Sequence, residues 1–149
     1  MVYADTSALV PAFIREPKSD AVLSWIESSG ERLIVSEWAV AEFSSAVAIK
    51  VRTGQLPAAT AKLARERFLA FVDGHCTAAV PQKAEFRRAA ELAADPDLKL
   101  RAGDASHLAI AEASSVQGIL CLDEAMCSSA KAIGLSIVDT DASGLRSLT

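Results

Sequence analysis

Two hydrophobic periods alternate along the chain. Short apolar runs read as strands: MVYA at 1–4, RLIVS at 32–36, HCTAAV at 75–80, GILCLD at 118–123 and LSIVD at 135–139. Between them the apolar positions recur every three or four residues. That spacing predicts helices over 7–14, 19–28, 37–52, 58–72, 81–94, 104–114 and 124–132. Gly30, Gly54, the pair Asp73-Gly74 and Gly134 close helices, while Pro57 and Pro81 open them. DPDLKLRAG, 95–103, reads as a polar loop, and the tail from Thr140 as short and irregular.

Strand-helix alternation predicts an α/β fold: one domain over 1–149, with a central parallel sheet of about five strands and helices on both faces. No repeat, linker or low-complexity segment interrupts it. The helical pair between the second and third strands is longer than a crossover needs, and so could carry a partner surface.

Composition narrows the class. Of 149 residues, 51% are hydrophobic and 23% charged, a globular balance. No stretch is apolar for long enough to cross a bilayer, and no basic lead-in marks a signal peptide. Cys76, Cys121 and Cys127 form no C-x-x-C pair. With only His75 and His107 beside them, they do not read as a zinc site, and reduced thiols point to a cytoplasmic protein. The net charge of −4 opposes a general nucleic-acid binder unless several acids belong to a metal site. A Gly-rich phosphate loop and a G-x-S-x-G elbow are both absent.

Four acids are the candidate chemistry. Asp5 and Asp123 each end an apolar strand, which puts both at the carboxyl edge of a parallel sheet, where ligands bind. Each could equally be a helix N-cap. Glu42, in SEWAVAEFSSAVAIKV, falls between Ile49 and Ala46 on an apolar flank, with Trp38 just beyond. A carboxylate buried there needs a partner or a cation. Lys50 also lies on an apolar side, so the flank could simply meet solvent. Asp104 stands in the first turn of an alanine-rich helix, where the helix dipole favours an acid. His107 shares its face but, as a lone helical histidine, is read as packing and given no catalytic role. Carboxylates crowded together call for a hard cation such as Mg²⁺ or Mn²⁺. Two such ions can serve an in-line phosphoryl displacement.

YADTSAL, WAVAEF, LRAGDASHLAIA and ILCLDEAM resemble, in order and spacing, the four motifs of PIN-domain ribonucleases, and most closely the VapC-type toxins of toxin–antitoxin pairs. The resemblance covers almost the whole chain. It implies that Asp5, Glu42, Asp104 and Asp123 surround one or two Mg²⁺ or Mn²⁺ ions. It implies Asp5 and Asp104 as direct ligands, Glu42 as a metal or water ligand, and Asp123 as a second-metal or outer group. Ser7 would support the site, and Thr6 would cap the helix. Cys121 stands where relatives often carry a hydroxyl two residues before the last acid, and a thiol is the weaker hydrogen-bonding group. The implied reaction hydrolyses an RNA phosphodiester, with the 3′-hydroxyl leaving and 5′-phosphate ends remaining. A homodimer and a cognate antitoxin are the implied partners. The helices at 18–28 and 37–72, with Trp25, Trp38, Phe68 and Phe71, would suit their surfaces. Arg15, Lys18, Lys50, Arg52, Lys99 and Arg101 could contact RNA phosphates, Arg101 first among them. A catalytically inert PIN-like binding module and a response-regulator-type phosphotransfer domain are the rivals. The second lacks a mid-chain acceptor aspartate and a late lysine.

Overall fold

A computed structural model describes residues 1–141. Its elements run β1 (Val2–Ala4), α1 (Thr6–Phe13), α2 (Ser19–Ser28), β2 (Leu33–Ser36), α3 (Glu37–Arg52), α4 (Ala58–His75), β3 (Thr77–Ala79), α5 (Lys83–Ala94), α6 (Ala102–Ala113), β4 (Gly118–Leu120) and α7 (Glu124–Ala132). The strands pair in parallel in the order β3-β2-β1-β4. The chain therefore builds outward from β1 to β3 and then returns to the far side of β1. The place where that direction reverses, between β1 and β4, is where open parallel sheets bind ligands.

Strand parity sorts the side chains into two cores. Val2, Ala4, Leu33, Val35 and Leu120 point to one face, under α1, α3 and α4. Phe43 and Phe68 stack there at 3.9 Å between ring centroids, with Phe13 edge-on to both. Tyr3, Ile34, Ile119 and Cys121 point to the other face, where α5, α6 and α7 bring mostly small residues. Ala105, Ala109 and Ala111 let α6 lie close against the sheet. By the same parity, Asp5 follows Tyr3 and Ser36 follows Ile34 toward the α6 face.

Several boundaries differ from the expected ones. The sheet has four strands among the described residues, because LSIVD joins β4 through a single bridge, Ile119 to Ile137. An Asx turn explains this: the Asp139 carboxylate accepts from the Asp141 N–H at 2.9 Å and turns the chain away. The third and fourth strands shorten to 77–79 and 118–120. Helix α4 runs through Asp73-Gly74 to His75, so that glycine closes nothing. Helix α6 begins at Ala102, two residues before Asp104. Most of the expected irregular tail, 142–149, lies outside the described residues.

The aromatic residues expected on partner surfaces are mainly core. Phe68 is fully buried, and Phe71 and Trp25 pack against the same cluster. The exposed apolar side chains of the helical pair are instead Ile49, Leu63 and Leu69. No described helix is long and apolar enough to cross a membrane.

Candidate metal centre

Asp5 follows β1 directly and is 2% exposed. It caps α1: Oδ2 accepts from the Ser7 backbone N–H at 3.1 Å, and from the Ser7 hydroxyl. The cap is therefore Asp5, and the Thr6 hydroxyl is released for another contact. It donates to Glu42 Oε2 at 2.9 Å. Ser7 Oγ also accepts from the backbone N–H groups of Leu122 at 2.9 Å and Asp123 at 3.3 Å. One hydroxyl thus ties the end of β1 to the loop after β4.

Glu42 reaches this edge from the second turn of α3. Its carboxylate lies against Gly103 in the first turn of α6. A Cβ on Gly103 would stand 2.8 Å from Glu42 Oε1, so glycine is what permits the approach. Burial works to raise the Glu42 pKa, but the hydrogen bond from His107, helped by Thr6 and Trp38, outweighs it and holds the acid below its usual range. The Trp38 indole nitrogen is itself buried and reaches full hydrogen-bond geometry with no described acceptor.

The residue that sequence reasoning passed over is His107, which is 1% exposed. Its Nε2 lies 2.6 Å from Glu42 Oε2 and 3.3 Å from Asp5 Oδ1. Its Nδ1 lies 2.7 Å from the Tyr3 hydroxyl, which in turn lies 2.8 Å from Ser36 Oγ. Ligand atoms of Asp5, Glu42 and His107 all fall within 4.8 Å of one another. A sequence signal for His107 did exist: it sits one helical turn beyond Asp104 on the same face. Its partners Tyr3 and Ser36 are far off in the chain, and only the strand register brings them in.

Asp104 and Asp123 stand apart from that tight group. Asp104 is half-buried, and its pKa is raised by burial, then by the charges of Asp123 and Asp5, with Glu42 adding and the Arg101 backbone N–H opposing. Asp123 is exposed and lies three residues past β4, so it does not end the strand. It caps α7, accepting from the Met126 N–H at 2.8 Å.

Cys121 lies between the two halves, buried, with Sγ 3.7 Å from Ser7 Oγ and its thiol directed to the Asp123 carbonyl at 3.6 Å. Burial, with the Asp5 charge adding, pushes its pKa up, so it stays a neutral thiol. All three cysteines are free.

The donor set fits a hard divalent cation. Two carboxylates converge within ligand distance, a third is strained by its acidic neighbours, and a cation would relieve that repulsion. The basic residues divide. Arg15 forms a two-pronged pair with Asp20, Lys18 pairs with Asp141 and Lys50 pairs with Glu16. Arg101, which caps α6 three residues before Asp104, makes no ion pair among the described residues.

A family model described as "PIN domain" matches residues 2–132. No curated protein matches the sequence. Among solved structures, the chain is similar to VapC20 of Mycobacterium tuberculosis, described as a sarcin–ricin loop cleaving toxin, at 14% identity and TM-score 0.72. That likeness covers 93% of this chain and 98% of the other. It is also similar to FitAcB of Neisseria gonorrhoeae, at 18% identity and TM-score 0.69, over 95% and 99% of the two chains. PAE2754 of Pyrobaculum aerophilum follows at 19% and 0.64, over 86% and 78%. At these identities the likeness establishes the fold.

Proposed function

The chain belongs to the PIN-domain family, and from that premise we propose that it is a divalent-cation-dependent endoribonuclease, the toxin of a toxin–antitoxin pair. The observation that carries the reading is the convergence of the Asp5 and Glu42 carboxylates at the point where the sheet order reverses, with Asp104 near enough to feel both charges. Asp5, Glu42 and Asp104 would hold Mg²⁺ or Mn²⁺, one or two ions, with Asp123 at the outer edge. When bound, the cation neutralises charge on phosphodiester oxygens and makes a water more acidic.

The chain's own residues prepare that site. Ser7 fixes Asp5, and Thr6 with His107 fixes Glu42, so neither acid has to be ordered when substrate arrives. Arg101 at the start of α6 offers a positive charge to an RNA phosphate beside Asp104. Hydrolysis releases a 3′-hydroxyl and leaves a 5′-phosphate. VapC20 is described as cleaving the sarcin–ricin loop, so that loop is the first RNA to test. A cognate antitoxin and a second copy of the chain are the proposed protein partners. Exposed Ile49, Leu63 and Leu69 supply apolar surface for them.

The test is incubation with total RNA and Mg²⁺, followed by mapping of the ends. Wild type should give 5′-phosphate ends, and chelation or Asp5→Asn should abolish them. Cleavage by Asp5→Asn at the wild-type rate would overturn the assignment. A monomer with no affinity for the product of an adjacent small gene would remove the toxin half and leave the nuclease half standing.

A further inference from the structure

His107 sits within ligand distance of two carboxylates, and an Asp-Glu-His trio is itself a familiar metal-binding set. Whether the imidazole ligates or donates depends on which nitrogen carries hydrogen, and the surrounding bonds decide that. Ser36 is the N-cap of α3, and its Oγ accepts from the Ala39 N–H at 3.0 Å. Among the described residues, the acceptor left for its own hydroxyl hydrogen is the Tyr3 oxygen at 2.8 Å. Tyr3 then has its hydrogen free for His107 Nδ1 at 2.7 Å. An Nδ1 that accepts leaves the hydrogen of a neutral ring on Nε2. That hydrogen faces Glu42 Oε2 at 2.6 Å and Asp5 Oδ1 at 3.3 Å.

The opposite arrangement fails twice. It would strand the Ser36 hydrogen in a fully buried position, and it would aim an Nε2 lone pair at a carboxylate.

We propose that the Ser36–Tyr3 relay locks His107 in the Nε2–H tautomer, which makes His107 a positioning residue for Asp5 and Glu42 and not a metal ligand, so that the cation site is built from oxygen alone. The proposal rests on the metal-site reading above and deepens it. The ring keeps the two acids together before any cation arrives. It also removes the one nitrogen that would favour zinc over magnesium.

The experiment is nitrogen NMR of protein labelled with ¹⁵N-histidine, recorded without metal and with Mg²⁺, with His75→Gln used for assignment. The expected result is the Nε2–H tautomer in both states, with no ligation shift at Nε2. Tyr3→Phe should lose the single tautomer while the chain stays folded. An Nδ1–H or doubly protonated ring in the metal-free protein would overturn the proposal, as would an Nε2 signal that moves to a ligated position on adding Mg²⁺. Variants give the second arm. His107→Ala should weaken Mg²⁺ binding about 10–100-fold, as loss of a group that orients ligands does. His107→Gln, which still offers an N–H donor, should recover most of it. Equal loss in both variants would contradict a donor role. The two readings fail separately: Mg²⁺-dependent RNA cleavage with the wrong tautomer sinks only the relay, whereas the right tautomer with no Mg²⁺ binding sinks the metal site.

Discussion

Asp5 and Glu42 form one half of the acid cluster, and the fold supplies donors to both. Ser7, Thr6 and His107 surround them, and the Glu42 pKa falls in consequence. Asp104 and Asp123 form the other half, and here the fold supplies little. Asp104 is partly desolvated and meets like charge besides, and its pKa rises. Asp123 spends its carboxylate on a helix cap. One half is therefore held in place by hydrogen bonds before any cation, and in the proposed metal site the other half gains most from one. A folded protein keeps such unrelieved repulsion only at some cost to stability, and functional sites are where that cost is commonly found.

The sharpest way to break the comparison is to neutralise one acid in each half. Glu42→Gln keeps an oxygen for Thr6 and His107 and removes only the charge. RNA cleavage should fall by more than about a thousandfold, with the fold retained. Asp123→Asn keeps an equally good cap, and cleavage should fall only about tenfold. Comparable losses in the two variants would erase the distinction.

Asp104→Asn tests the second half through stability. Removing its charge should stabilise the metal-free protein by about 0.5 kcal/mol after solvent screening, or roughly 1–2 °C in melting temperature, and should reduce stabilisation by Mg²⁺. A lower melting temperature in the metal-free variant would show that Asp104 is already satisfied.

The two halves also have opposite pH signatures. Asp104 has a raised pKa, so the folded state binds its proton more tightly than the unfolded chain does. Its contribution makes stability fall as pH rises from its ordinary value through its raised one. Glu42 has a lowered pKa. Its contribution is fully present above its ordinary value and is lost as pH falls through the lowered one. Acidifying the metal-free protein from neutrality should first gain stability through Asp104 and then lose it through Glu42. Melting curves across pH check this, and Asp104→Asn should lack the initial rise.

Gly103→Ala should have the smallest effect on stability, within about 0.5 kcal/mol, because the added methyl meets only the movable end of Glu42. Displacing that carboxylate should still cost about tenfold in cleavage, since small errors of placement are expensive in catalysis.

How much of this the sequence shows differs between the halves. Asp5 is legible because an apolar strand delivers it, and parity then predicts the face it shares with Tyr3. Asp104 is legible as a first-turn acid. Glu42 is obscured in the sequence by Lys50, which also lies on an apolar side of the same helix. In the fold Lys50 is paired with Glu16, so the flank is clean where the site needs it. The relay was hidden because Tyr3, Ser36 and His107 come from three distant segments, and only the β1–β2 register and the seating of α6 join them. Of the two readings open for Asp123, the helix cap holds and the strand end does not, because β4 stops at Leu120. The fifth strand was lost to a side-chain turn at Asp139, which hydrophobic alternation does not encode.

The central claim is that the two halves close around a divalent cation. A Mg²⁺ titration followed by thermal melting tests it most directly, on wild type and Asp5→Asn side by side. Wild type should show a saturable rise in melting temperature and the variant none. A wild-type protein whose melting temperature does not respond to Mg²⁺ or Mn²⁺, or a variant that responds equally, would contradict it.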